Sequence, residues 1–137
     1  PVESTPDDPT PGEGLRVLVV EDNTVNQMVA GHLLTQLGCE VDTAGNGQEA
    51  LVMTRDFHYD IVFMDCRMPV MDGFEATRRL RTRPGGTAVP VIALTANAMQ
   101  GDRERCLSAG MDDYLPKPIA ADALHRMVSK WRSRGHV

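Results

Sequence analysis

The stretch Asp60-Ile61-Val62-Phe63-Met64-Asp65-Cys66-Arg67-Met68-Pro69-Val70-Met71-Asp72-Gly73 decides the fold. A four-residue apolar run, Ile61 to Met64, leads straight into an acid, Asp65, and reads as a buried strand. The chain then turns through Met68-Pro69 and restarts at Asp72-Gly73. In a parallel α/β sheet the chemistry sits just beyond the carboxyl ends of the strands. Asp65 stands at such an exit.

Upstream, Val17 to Val20 is a continuous apolar run with three β-branched residues, as expected of a strand covered on both faces, and it ends at Glu21-Asp22. Asn23 is placed to cap a helix that runs to Gly38, a good residue for the position after a helix end. A short strand, Glu40 to Ala44, follows. Asn46-Gly47-Gln48-Glu49 has the spacing of a capping box, opening a helix towards Phe57.

Downstream, Asp72-Gly73-Phe74-Glu75 is a second box-like cap, for a helix to about Arg83. Its Arg78, Arg79, Arg81 and Arg83 read as a solvated face, with Glu75 four residues before Arg79. Pro84-Gly85-Gly86 breaks the chain before a strand from Val89 to Thr95. Asn97 to Gln100 could cap a weak fourth helix, with Gly101 in its first turns and a thin stripe of Met99, Cys106 and Leu107. A last strand, Asp113 to Leu115, ends in Pro116-Lys117-Pro118. The final helix carries Leu124, Met127, Val128 and Trp131 on one stripe and finishes near Arg134-Gly135. Five strands alternating with five helices predict an α/β fold, a parallel sheet layered between helices as an α/β/α sandwich.

At 137 residues and 42% hydrophobic, the chain suits one domain with a real core. No apolar run approaches the roughly 20 residues of a membrane span, and no signal-peptide pattern appears, so a cytoplasmic setting is the default expectation. Residues 1–14 hold four prolines and four acids with no base, and read as an extended linker or arm. Removing its −4 from the net −5 leaves −1, and no basic face argues for nucleic acid. The first residue is Pro1 rather than Met, as expected of a piece of a longer chain. Cys39, Cys66 and Cys106 lack any C-x-x-C spacing and read as small buried hydrophobes. His32, His58, His125 and His136 are scattered and read as surface residues.

Because all strands of such a sheet end on one edge, Glu21-Asp22, Ala44-Gly45, Asp65, Thr95-Ala96 and Lys117-Pro118 converge there. Three carboxylates about 4 to 5 Å apart repel by roughly 4 kcal/mol per pair at an effective dielectric near 20. Lys117 supplies one compensating charge, and a hard divalent cation with oxygen ligands, Mg²⁺ rather than Zn²⁺, would supply the rest. The plain alternative is that acids at strand ends are solvated loop residues. It weakens with an acid, a hydroxyl and an ammonium each at its own strand exit.

Those motifs, in that order and at those spacings, carry a resemblance. They are Val-Glu-Asp-Asn at 20–23, Met-Asp-Cys-Arg-Met-Pro-Val-Met-Asp-Gly at 64–73, Leu-Thr-Ala-Asn-Ala at 94–98 and Lys-Pro-Ile at 117–119. From about Arg16 to Arg132 the chain resembles the receiver domain of response regulators. It is most similar to receivers fused to hybrid histidine kinases, through Glu-Asp-Asn-Thr-Val-Asn-Gln at 21–27 and Cys-Leu-Ser-Ala-Gly-Met-Asp-Asp-Tyr-Leu at 106–115. The resemblance implies the strand order 2-1-3-4-5, which the residues alone do not yield. It implies a receiver domain over 15–134, with 135–137 as a tail.

It further implies that Asp65 accepts a phosphoryl group from a phosphohistidine of a histidine kinase or histidine-phosphotransfer domain. Asp22 would bind Mg²⁺ (or Mn²⁺) directly, Glu21 mainly through water, with Asp65 and the main-chain carbonyl of Arg67 completing the protein ligands. Lys117, the Thr95 hydroxyl and the Ala96 N–H would hold phosphoryl oxygens. Lys117-Pro118 matches a position that is cis in the family, with Pro118 aiming the ammonium inward. Thr95 and Tyr114 would form the conformational switch, and aspartyl phosphate would hydrolyse slowly. The Arg67 side chain occupies a variable position expected to overlook the phosphoryl group.

On the first helix, Asn26, Val29, Ala30, Leu33, Leu34 and Leu37 share one face and are expected in the core, whereas Val25 and Met28 lie outside it. Val25 and Met28 would dock the phosphodonor's helix bundle. Three alternatives stand beside this reading. A flavodoxin-type binder wants a phosphate-cradling loop where Glu21-Asp22 stands, and a dehalogenase-like phosphatase wants a second acid where Arg67 stands. The third is an inactive receiver that serves only for protein interaction.

Overall fold

The computed structural model describes residues 9–83, 89–96 and 101–135. The expected break at 84–86, the expected cap at Asn97 to Gln100 with Met99, His136 and residues 1–8 of the arm lie outside them.

Five strands and five helices alternate: β1 (Arg16–Val20), α1 (Thr24–Gln36), β2 (Glu40–Ala44), α2 (Gly47–Asp56), β3 (Ile61–Asp65), α3 (Gly73–Thr82), β4 (Val91–Thr95), α4 (Asp102–Ala109), β5 (Asp113–Pro116) and α5 (Ala121–Gly135). All strand pairs are parallel, in the order β2-β1-β3-β4-β5. β1, β3 and β4 are interior, and their side chains are buried on both faces apart from Arg16. That is why their sequences read as unbroken apolar runs. Alternation then divides the core. Leu18, Val20, Val62, Met64, Val91 and Ala93 pack with α2, α3 and α4. Val17, Val19, Ile61, Phe63, Ile92 and Leu94 pack with α1 and α5.

The helix starts follow local chemistry. Asn23 Oδ1 accepts from Asn26 N at 3.0 Å, and Asp72 Oδ1 from Glu75 N at 2.9 Å. Asn46 Oδ1 accepts from Glu49 N at 3.0 Å while Glu49 reaches back to the amide of Gly45 at 3.1 Å, closing the box one residue earlier than the standard form. Gly38 ends α1 at φ 96°, a backbone conformation that side chains resist.

Four expectations need correction. Val29 is 47% exposed and Asn26 is exposed, because α1 lies on the sheet through Ala30 and Leu34, and Val29 is turned about 100° from Ala30. In α4, Leu107 is exposed and Gly101 precedes the helix rather than sitting in its first turns. The buried side is Asp102, Cys106 and Ala109. Of the α3 arginines, Arg78 and Arg79 do pair with Glu75 in solvent, but two others hold the fold. Arg81 donates to the carbonyls of Gly110 and Val89 and to Asp112, and Arg83 to the Leu51 carbonyl and Thr54. Lastly, the described end of the arm is only partly solvated, with Pro11 and Gly12 buried and Pro9, Glu13 and Gly14 exposed. Gly12 N donates to the Leu37 carbonyl at 2.9 Å, and Arg132 donates to the carbonyls of Pro11 and Glu13. Gly12 lies against Cys39, where a Cβ would collide with the sulfur, so glycine permits that docking.

Candidate functional site

The carboxyl ends of β1, β3, β4 and β5 bring the site together because register aligns them. Val20 pairs with Met64, Asp65 with Leu94 and Thr95 with Pro116. The amide of Lys117 then donates to the Thr95 carbonyl at 2.9 Å, which carries the lysine to the same edge.

Asp65 is 4% exposed and Glu21 1%, whereas Asp22 points into solvent. Each of the three offers an oxygen within 4.8 Å of the others. Lys117 Nζ bridges the two buried acids, 2.8 Å from Asp65 Oδ2 and 3.1 Å from Glu21 Oε1. Burial works against the Lys117 charge, but the hydrogen bonds and charges of Asp65 and Glu21 outweigh it and hold the ammonium above its ordinary pKa. The other oxygens are also engaged. Asp65 Oδ1 accepts from the Arg67 amide at 3.2 Å, and Glu21 Oε2 from the Asn23 amide at 3.1 Å. Gln27 steadies the loop by donating to the Glu21 carbonyl at 2.6 Å.

Three acids against one ammonium, with an all-oxygen donor set open to solvent at Asp22, fit a hard cation such as Mg²⁺. The turn beyond Asp65 is shaped by close approach. Gly73 N donates to the Cys66 carbonyl at 3.0 Å, and a Cβ on Gly73 would meet the backbone of Asp65. Val70, in the same loop, is 81% exposed and sits at φ 71°, an uncommon conformation for a β-branched residue.

Thr95 is buried and donates its hydroxyl proton to Asp102 Oδ2 at 3.0 Å. Ala96 is exposed beside it. Tyr114, opposite Ala93 on the edge strand, packs partly buried on the α2-α3-α4 side with the Arg103 guanidinium 5.5 Å above its ring. The peptide Lys117-Pro118 is cis. Val25 and Met28 are 66% and 69% exposed. With Val29 they form an apolar trio on the outer face of α1.

The Arg67 side chain has a partner that its position in the sequence does not announce. It is pinned to Asp102 Oδ1 at 2.7 Å, with its guanidinium 5.9 Å from the centre of the Phe74 ring. Asp102, buried and hydrogen-bonded on both oxygens, is the residue that the sequence does not reveal. An acid in a first helical turn is the ordinary preference of helix starts, so nothing in its spacing sets it apart. Among the described residues the thiols are inert by environment. Burial, with Cys106 3.6 Å away, drives the Cys66 thiol pKa well above its ordinary value.

Known proteins share both pattern and shape. The family model "Response regulator receiver domain" matches residues 17–129. The "Two-component system protein A" of Emericella nidulans is 47% identical over 118 residues, 84% of this chain and 17% of that protein. The chain spans only 6–17% of the length of such curated relatives. A crystal structure of the receiver domain of a Pseudomonas aeruginosa sensor histidine kinase, with magnesium coordinated in its active-site cleft, is 48% identical. It superposes at TM-score 0.82, covering 88% of this chain and 98% of that one. The receiver domain of the Saccharomyces cerevisiae response regulator Ssk1, solved with the histidine phosphotransfer protein Ypd1, is 31% identical at TM-score 0.85, covering 92% and 94%. Shared topology, shared motifs and a family model spanning most of the chain agree: this chain belongs to the response regulator receiver domain family of two-component signalling.

Proposed function

We propose that Asp65 is the phosphoacceptor of a phosphorelay, and that it receives its phosphoryl group from a phosphohistidine. One observation carries the reading: the Lys117 ammonium bridges Asp65 and Glu21 at 2.8 and 3.1 Å, leaving an acid cluster still short of positive charge. A carboxylate oxygen of Asp65 attacks phosphorus in line, the P–N bond breaks, and the imidazole leaves with the electron pair.

Lys117 neutralises a phosphoryl oxygen as charge spreads over the group, while the Thr95 hydroxyl and Ala96 N–H hold others. Asp22, Asp65, Glu21 and the Arg67 carbonyl would hold Mg²⁺, which would supply further positive charge to the phosphoryl oxygens. The magnesium of the Pseudomonas relative supports that assignment. Thr95 and Tyr114 relay the change, being on the same face of neighbouring strands. Slow hydrolysis returns the carboxylate.

The donor is a histidine kinase or a histidine-phosphotransfer protein, as the yeast complex suggests. Val25 and Met28 dock its helices. Such a role places the domain in the cytoplasm; among the described residues no helix is long and apolar enough to cross a membrane.

Incubation with Mg²⁺ and acetyl phosphate should add ~80 Da, the mass of a phosphoryl group, to wild type and not to Asp65→Asn. Absence of a Mg²⁺-dependent, base-labile adduct in wild type would favour the inactive, interaction-only receiver. Unchanged transfer rates after Val25 and Met28 are both made polar would remove the docking assignment.

A further inference from the structure

We infer that Asp102 is a positioning residue that latches Thr95 and Arg67 in the unphosphorylated state, and that phosphorylation of Asp65 opens the latch and releases the start of α4. This inference rests on the phosphoacceptor reading above. A threonine hydroxyl has one proton. Here it goes to Asp102 Oδ2 at 3.0 Å, while Arg67 donates to Asp102 Oδ1 at 2.7 Å. Thr95 cannot give that proton to Asp102 and to a phosphoryl oxygen at once, so the two acceptors compete.

The consequence falls on α4. The Asp102 side chain is only 4% exposed, and losing its donors would leave a buried carboxylate oxygen unsatisfied, a costly state. Asp102 is the first residue of α4, so it regains solvent only if the helix start moves outward. Besides Asp102, that end is held by two exposed arginines, Arg103 over the Tyr114 ring and Arg105 over the Phe74 ring, contacts of the weaker, solvent-exposed kind. Gly101 precedes the helix at φ 88°, no side chain caps it, and α4 is eight residues long. Its far end is better held, through buried Cys106 and Ala109 and through Arg81, which grips the Gly110 carbonyl at 2.8 Å. The helix therefore swings from its N-terminus about an anchored C-terminus.

The test uses fluoroberyllate, a stable phosphoryl analogue, with Mg²⁺, its binding followed by ¹⁹F NMR. Asp102→Asn keeps the shape and weakens the competing acceptor, so it should bind the analogue roughly tenfold more tightly, the equivalent of one charge-assisted hydrogen bond no longer broken. In a Thr95→Ala background the same substitution should give no gain, which a merely structural role of Asp102 does not predict. In wild type, the analogue should also speed hydrogen exchange over 102–105 more than over 106–109, a measurement that needs no variant to fold. Equal affinity of Asp102→Asn and wild type, a gain that persists without Thr95, or unchanged exchange at the start of α4 would each overturn the latch. No Mg²⁺-dependent binding by wild type at all would instead remove the phosphoacceptor reading, and the latch with it.

Discussion

The Lys117 ammonium lies 2.8 Å from Asp65 Oδ2, and the two residues are brought together from 52 positions apart in the chain. That contact, extended to Glu21, partly neutralises a carboxylate cluster of which two members are buried.

Lys117→Met should therefore destabilise the metal-free fold by roughly 2–4 kcal/mol, a little under the usual loss for one partner of a fully buried ion pair because the Lys117 side chain is 25% exposed. Added Mg²⁺ should recover part of the loss, because a ligand that binds only the folded state raises stability by mass action. Urea unfolding of both proteins, with EDTA and with millimolar Mg²⁺, measures it. No rise in the stability of either protein with Mg²⁺ would count against a metal among these acids.

Gly73→Ala should damage the site more than the helix it begins. The added Cβ meets the backbone of Asp65 and the Met64 side chain, and β3 is too tightly packed to yield. A loss of about 1–3 kcal/mol is expected, the range for overpacking. Acetyl phosphate labelling should fall along with it; stability lost with labelling intact would show that the loop absorbs the methyl group.

The alkaline limb of stability should carry the signature of Tyr59. Burial, then the hydrogen bond to Asp42 Oδ2 at 2.7 Å, raises its phenol to about 12. The unfolded chain loses that proton first, near pH 10, so the folded state binds more protons between roughly pH 10 and 12 and stability declines as pH rises through that window. Tyr59→Phe should remove this part of the slope. Lys117, also raised, acts in the same direction: its contribution is present below its unfolded pKa and lost above its folded one. Chemical denaturation at pH 8, 10 and 11.5 compares the slopes.

Val70→Asn should stabilise the protein by roughly 0.5–1 kcal/mol. Valine at φ 71° is strained where asparagine is at ease, and a side chain 81% exposed gives up little packing. Thermal unfolding reads the gain, and a lower melting temperature would mean that Val70 makes contacts that matter.

Much of the fold was legible because its signals are local. The apolar runs 17–20 and 61–64 and the caps at Asn23, Asn46 and Asp72 depend on neighbours a few residues away. What failed did so where distant groups compete. Val29 reads as core until α1 meets the sheet through Ala30 and Leu34. Arg81 and Arg83 read as solvated until α3 is set beside the carbonyls of Gly110, at the end of α4, and of Leu51 in α2.

The alternation of strands and helices, and the acids, hydroxyl and lysine at the strand exits, follow from the order of residues along the chain. Parallel order alone then sends those residues to one edge. How their charges and protons are shared emerges with the folded arrangement. Lys117 bridges Asp65 and Glu21, and Asp102 takes the Thr95 proton and turns Arg67 aside. Around Asp65 such pairings depend on ångström distances between segments remote in the chain, and no spacing along it encodes them.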